Sequence, residues 1–326
     1  MGKRFKGNHS RVTVAVAADA NAPQLVEAAA GFCRRTGMKM RLVQVAEYWV
    51  GRSWPREMTL EGPLGEAIGV VEDESVRLAQ SHLRRLAEGV GRGIEVETNV
   101  LTGYPGECII ADAIASQSSF IITGASKGNH RFVPRGLSTA LTLMSDSPVP
   151  VMVIQAGTTP RFDGDGFRMM VADDLTDHSE KAVVAAFDLA SALGNVRLHH
   201  LHINGLTEQN LTAALEAAAA ASHSGTIRGV SASEVFRLAV RTIEGKMGAR
   251  APGRRSVLEA HRGIYSSEVR SGDVVDELHA AAGAFHADLL VFGRHRAFRR
   301  KPFVIGQVPF YAMLSPERPV VVVPGE

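Results

Sequence analysis

Ser147-Pro148-Val149-Pro150-Val151-Met152-Val153-Ile154 returns near the end of the chain as Ser315-Pro316-Glu317-Arg318-Pro319-Val320-Val321-Val322-Val323. A Ser-Pro turn running into a short β-branched strand is common enough once, but here the recurrence brings its neighbours along. Val100-Leu101-Thr102-Gly103 is answered by Val269-Arg270-Ser271-Gly272, and Gly124-Ala125-Ser126-Lys127 by Gly293-Arg294-His295-Arg296. Gly103 and Gly272, Gly124 and Gly293, and Pro150 and Pro319 all lie 169 residues apart, so the chain repeats one long unit. At the front of the unit the spacing is shorter. Ala17 pairs with Asp174 at 157 residues, which leaves about 12 extra residues in the second copy, between Asn204 and Glu268. Within that insertion Leu211 to Ala221 is alanine-rich and reads as helix. Gly248 to Arg255 collects Gly, Arg and Pro and reads as a mobile loop. The copies are predicted as domains 1–156 and 167–326, joined by a linker over 157–166 where Thr, Pro, Asp and Gly cluster.

Inside each copy short apolar runs alternate with helical periodicity. Val12 to Val16 is β-branched, and Ala22 to Arg35 then sets Leu25, Ala28, Ala29 and Phe32 on one helical face. Leu42 to Val45 reads as strand, Glu74 to Glu88 as helix, Ile94 to Leu101 as strand and Gly106 to Ser116 as helix. Phe120 to Thr123 and Val151 to Ile154 add two strands. Apolar strands separated by amphipathic helices give a parallel sheet covered on both faces. The predicted fold is therefore α/β: two tandem doubly wound, Rossmann-like domains, each a five-stranded mainly parallel sheet. In such a domain ligands bind in the crevice at the carboxyl ends of the strands. The exposed edge of each last strand needs a partner, so the two copies are expected to pack as an internal pseudo-dimer through Val151 to Ile154 and Val320 to Val323.

Composition narrows the setting. The 326 residues are 45% hydrophobic and 21% charged, which suits a folded globular chain of about two domains. A net charge of +2, from 36 Lys and Arg against 34 Asp and Glu, confines any basic site to a local patch. Cys33 and Cys108 are too few for a disulfide framework or a cysteine-rich zinc site. No apolar run approaches the ~18 residues of a membrane helix, and Met1 to Arg11 leads into no signal-peptide core. The expected location is the cytoplasm, with no membrane association.

The residues with chemistry to offer gather at the expected crevices. Gly124 and Gly293 each follow a predicted strand, where glycine lets backbone N–H groups approach a phosphate or simply makes a tight turn. Arg294-His295-Arg296-Ala297-Phe298-Arg299-Arg300-Lys301 holds five fixed positive charges and one aromatic. That patch is either a solvated basic face or an anion site, and one aromatic is a poor stacking platform for nucleic acid. His199, His200 and His202 alternate along a strand, so at most two share a face; no metal site is predicted, and packed histidines are expected. Asp173 and Asp174 point to opposite faces and are poor candidates for a cooperating carboxylate pair. No G-x-S-x-G, Walker loop or H-E-x-x-H is present, and no enzyme activity is predicted.

The order Gly-x-x-Gly, nine residues, then Gly followed by Ser or Thr, ahead of a Pro-Val-Val-type last strand, resembles the universal stress proteins, over both halves nearly end to end. Val171-Ala172-Asp173-Asp174-Leu175-Thr176-Asp177-His178-Ser179 is similar to the family's first strand ending in Asp-Gly-Ser, and Asp288-Leu289-Leu290-Val291-Phe292-Gly293 to its Asp-Leu-Ile-Val-Met-Gly strand. In nucleotide-binding members the resemblance implies a first-strand Asp and a second-strand backbone group on the nucleoside, with the glycine loop and Ser or Thr on the phosphates. Carried onto this chain, Asp174, Thr176, Gly293 and Gly306 match, and Leu201 takes the adenine-contacting strand position. Arg296 replaces the second loop glycine and Gln307 the Ser or Thr. His200 falls where the family often has His. In the first half Gly124 and Ser138 match and Val45 takes the strand position, but Ala17 replaces the Asp, Lys127 the second glycine and Leu137 the third. Gly128 and Gly136 lie one residue from the expected places.

A side chain at a close-approach glycine blocks a phosphate sterically, whereas Lys or Arg there supplies charge-assisted bonds to it. Both readings stand. The expectation is a non-catalytic stress or signalling protein with at most one adenine-nucleotide site, for ATP or AMP, in the second half. The alternative is an interaction scaffold with degenerate, non-binding sites. The protein partner is unknown, and a homodimer of the whole chain stays open.

Overall fold

The computed structural model describes residues 10–46, 63–91, 93–125, 139–158, 160, 162, 164, 166–221, 231–294 and 318–325. The first copy supplies β1 (Arg11–Ala15), α1 (Ala22–Thr36), β2 (Lys39–Ala46), α2 (Pro63–Gly89), β3 (Val96–Thr102), α3 (Pro105–Ala115), β4 (Ser118–Ala125), α4 (Thr139–Asp146) and β5 (Val151–Gln155). The second supplies β6 (Phe167–Ala172), α5 (Asp177–Leu193), β7 (Val196–Asn204), α6 (Glu208–Ala221), α7 (Ala232–Ala249), α8 (Arg254–Ala260), β8 (Ile264–Ser271), α9 (Val274–Phe285), β9 (Leu289–Gly293) and β10 (Val320–Val323).

Local chemistry sets the helix ends. α1 has a proline in its first turn and stops at Gly37, whose left-handed φ of 72° turns its N–H onto the carbonyl of Cys33. α5 starts at Thr176, whose hydroxyl accepts from the N–H of Ser179, with Asp177 and Glu180 in the first turn facing the positive end of the dipole. α9 starts at Asp273, which accepts from the N–H groups of Val275 and Asp276.

All ten strands form one sheet in the order β3-β2-β1-β4-β5-β10-β9-β6-β7-β8. Every neighbouring pair is parallel except β5 and β10, which run antiparallel with Val320 opposite Val153 and Val322 opposite Val151. Within each half the order is that of a doubly wound domain, and the antiparallel seam points the strand ends of the two halves to opposite edges of the sheet. Two apolar clusters cover the faces, and each runs across the seam. One joins Leu25, Phe32 and Leu83 to Ala186, Leu193 and Leu258; the other joins Ile109, Leu143 and Met144 to Leu278 and Ala282.

The segment 157–166 takes part in this packing. Phe162 is fully buried, with its ring 5.3 Å from Phe32 and 5.2 Å from Phe167. Arg35 donates to the carbonyls of Leu193, Gly194, Phe162 and Gly164, so one guanidinium ties the first copy to the linker and to the end of α5. On the other face Arg294 donates to the carbonyls of Met144 and Ser147.

One expectation needs correction. Gly248 to Arg255 is not a loop throughout: α7 continues to Ala249 and α8 begins at Arg254. Tertiary anchors override the local composition there, since Met247, Ala251 and Leu258 are all buried.

Candidate functional site

In the second half the direction of winding reverses between β6 and β9, and α5 enters the crevice there. The chain leaves β6 through Asp173, Asp174 and Leu175, and these three residues are held in different ways. Asp173 is buried. Its Oδ1 accepts from Ser179 Oγ at 2.6 Å and from the N–H of Leu175 at 2.8 Å. Its Oδ2 lies 2.9 Å from His200 Nε2 and 3.5 Å from Arg250 Nε. Burial alone would raise the Asp173 carboxyl, but bonds from His200, Ser179 and Leu175, together with the charge of His200, hold it below the usual carboxylate range. An ionised carboxylate only accepts, so His200 Nε2 carries a hydrogen, while its Nδ1 lies 3.0 Å from the hydroxyl of Tyr265.

Asp174 is exposed, and its Oδ1 accepts from the N–H and the hydroxyl of Thr176 at 3.0 and 2.7 Å. Leu175, between them, adopts φ 63°, a left-handed conformation in which the family pattern has glycine. Arg250, at the end of α7, reaches over the first turn of α5, donating to the carbonyl of Thr176 at 3.1 Å and to Glu180 at 2.9 Å. The extra residues of the second copy thus contribute a cation to the rim of this crevice.

Gly293 ends β9 against α5. A Cβ there would lie 3.0 Å from the carbonyl oxygen of His178 and 3.1 Å from Ser179 Cα, so the helix itself requires glycine at this position. Gly124, at the matching place in the first half, is looser: a Cβ would meet Leu25 at 3.6 Å and the Ile154 carbonyl at 4.0 Å.

The sheet register relocates one expectation. Leu201 is fully buried and its carbonyl accepts from the N–H of Asp173. Its counterpart is Val43, whose carbonyl accepts from the N–H of Val16; Val45 therefore corresponds to Ile203. Alternate residues of a parallel strand turn both backbone groups to the same side. Leu201 faces β6, and Asn204, bonded to the N–H of Gly272, faces β8. Ile203 accordingly turns its N–H and C=O toward β6, beyond the last residue of that strand, Ala172. A donor and an acceptor thus lie side by side there, at the position that corresponds to Val45 of the first half.

The three histidines are all buried and hydrogen-bonded. His199 lies 2.8 Å from Ser266 Oγ and 3.2 Å from Glu268, and stacks on Phe285 at 4.8 Å. His202 Nδ1 lies 2.7 Å from the carbonyl of Asp173. Among the described residues no group of three His, Cys, Asp or Glu is placed to hold a metal ion. Nor is any helix among them long and apolar enough to cross a membrane. Lys127, Gly128, Ser138, Arg296, Gly306 and Gln307 lie outside the described residues, so the geometry brings together Asp174, Thr176, Gly293 and the end of β7, and in the first half Gly124 and Val45.

The first half lacks the polar construction. Val16 stands where Asp173 stands, Ala17 where Asp174 stands and Leu42 where His200 stands, and Val16 and Leu42 are both buried in the core.

Comparison with solved structures reports on the fold. A universal stress protein from Archaeoglobus fulgidus DSM 4304 superposes with a TM-score of 0.63 at 16% identity, covering 98% of each chain. A protein of unknown function from Pseudomonas aeruginosa PAO1 superposes at 0.55 with 16% identity, covering 96% of this chain and 92% of that one. No curated protein matches the chain in sequence. The model of the universal stress protein family matches residues 167–324. Residues 167–324, whose strand order and crevice have the architecture described above, thus form a universal stress protein family domain.

Proposed function

We propose that this universal stress protein is a non-catalytic, cytoplasmic signalling protein of two domains, 1–156 and 167–326, that binds one adenine nucleotide, ATP or AMP, in the second-half crevice. What supports the reading is the end of β7, where the alternation set by Leu201 turns the N–H and C=O of Ile203 to the side of β6, past its last residue Ala172, after which the exposed Asp174 follows. The base takes the backbone edge of Ile203, and Asp174 takes ribose hydroxyls. The first half has alanine in place of that carboxylate and is assigned no nucleotide. Ser179 supports the non-catalytic reading. Its hydroxyl donates to Asp173 rather than to a histidine, which orders Ser, Asp and His wrongly for a nucleophile.

Gly293 favours the second reading, a scaffold without ligand, because the close approach of α5 accounts for that glycine with no phosphate present. Calorimetric titration of the nucleotide-stripped protein with ATP and AMP separates the two. Micromolar binding abolished by Asp174→Ala is the expected result; no heat at millimolar nucleotide would make the protein a scaffold.

A further inference from the structure

Only the second half of α2 is fastened to the domain. There Ala79 and Leu83 are buried, and Leu86 and Ala87 pack against the first of the two apolar clusters. From Glu66 to Leu78, by contrast, no residue is buried. Val70 is 68% exposed, Val71 53% and Leu78 56%. Single exposed aliphatic side chains are ordinary, but these are grouped. Val71 and Leu78 lie two turns apart on one face, with Ala67 one turn before Val71 and Val70 beside it. Helices of only ~12–15 residues are marginal in water without packing, so a stretch like this one gains from a partner. α2 joins β2 to β3, the outermost strand of the sheet, so the stripe lies in the half that carries no proposed nucleotide, at the far side from the β5–β10 seam.

The charges on α2 identify that partner. Residues 66–74 carry Glu66, Glu72, Asp73 and Glu74 and no Lys or Arg; residues 75–87 carry Arg77, Arg84 and Arg85 and no Asp or Glu. A helix dipole favours acid first and base last only within the end turns, whereas here the sign changes in mid-helix. A second copy laid antiparallel across that change sets each acidic half against a basic one, while a parallel copy sets acid against acid and base against base. The apolar stripe has the same centre, since the midpoint between Val71 and Leu78 falls between Glu74 and Ser75. About that point Val71 of one copy meets Leu78 of the other, Arg77 comes level with Glu72 and Asp73, and Arg84 and Arg85 come beside Glu66. Glu74, nearest the centre, is already paired with Arg77 of its own chain at 2.6 Å, so the two copies of this carboxylate do not meet as bare charges.

We propose that α2 is a self-association surface, on which a second copy of the chain packs its own α2 antiparallel about a two-fold axis near residues 74 and 75. One helix pair is a small interface, so the dimer is reversible rather than obligate.

Sedimentation velocity of the full chain over a range of micromolar concentrations tests this. The wild type should pass from monomer to dimer, and the dimer should weaken as added salt screens its exposed charges. Leu78→Glu sets a carboxylate into the stripe and should leave only monomer. Because Leu78 is more than half exposed, that variant should fold, which thermal melting checks. Cross-linking reads the register. On oxidation, a mixture of Val71→Cys and Leu78→Cys chains should form a disulfide between unlike chains beyond the wild-type background of Cys33 and Cys108. Neither variant should do so alone, because like positions would lie about 10 Å apart along the helix. A wild type that stays monomeric at the highest concentration overturns the proposal. So does a dimer indifferent to Leu78→Glu, which would place the contact elsewhere on the molecule, and so does cross-linking of Val71→Cys with itself, which would deny the antiparallel register.

Discussion

The carboxylate of Asp173 is sealed inside the protein while that of Asp174 meets solvent, and the difference follows from side-chain alternation carried just past the end of β6 at Ala172. That alternation was legible from the sequence, whereas Asp174 was singled out by its match to the family's first-strand Asp. The partners of Asp173 were not legible, because Ser179, His200 and Arg250 come from three other elements and no spacing along the chain links them. Ionisable groups fixed this firmly make stability depend on pH. Burial holds His199 below its usual value of 6.5, with the charges of Arg270 and His200 adding to this and Glu268 opposing it. The folded state then takes up this proton less readily than the unfolded chain, so the contribution is complete above pH 6.5 and falls as the pH drops through the folded value. Asp173, also lowered, acts further down: its contribution is present above the ordinary carboxylate value of 3.8 and is lost as pH falls through the folded one. Melting temperature measured from pH 8 to pH 3 should fall in two stages. His199→Gln should shrink the stage that begins near 6.5 and spare the lower one; an unaltered upper stage would remove His199 from the account.

Among elements, the fold was legible because each strand is a short apolar run bounded by turn residues, and the two copies repeat those runs in order. The crevice was less so. The spacing between copies is 157 residues at Ala15 and Ala172 but 158 at Val43 and Leu201, after helices of 15 and 17 residues. Offsets read elsewhere in the chain therefore do not fix the register of this strand, and Val45 and Leu201, 156 residues apart, are not counterparts. Gly293 shows the other limit, since a glycine reads the same in sequence whether a phosphate or a helix approaches it. The structure places backbone of α5 within 3.0 Å of a Cβ there. Gly293→Ala should therefore destabilise the protein by about 1 to 3 kcal/mol, the range for overpacking, by forcing the first turn of α5 outward. Urea unfolding measures it. A variant of unchanged stability that has lost nucleotide binding would instead assign the glycine to the ligand.

At the scale of the whole molecule several contacts cross between the two copies, and three of them bear most on how the halves couple. β5 is paired on both sides, by β4 and by β10, and so has no open edge. Both apolar clusters continue across the seam. The third contact is Phe162, a single aromatic in a segment of Thr, Pro, Asp and Gly that gives no periodic signal, which is why the sequence reads as a plain linker there. Its ring stands between Phe32 of the first copy and Phe167 of the second, and its carbonyl is one of four held by Arg35. A ring fully buried among rings leaves a cavity when removed, and the backbone around it, fixed by Arg35, has little freedom to close in. Phe162→Ala should cost about 3 to 5 kcal/mol. Because the lost contacts belong to both copies, the loss should appear as an earlier single transition in urea, with intrinsic fluorescence and far-ultraviolet circular dichroism still coinciding. If the copies were joined by a passive tether, the substitution would cost under about 1 kcal/mol, as at an ordinary surface position. Two separated transitions in the wild type would equally deny that the seam couples them.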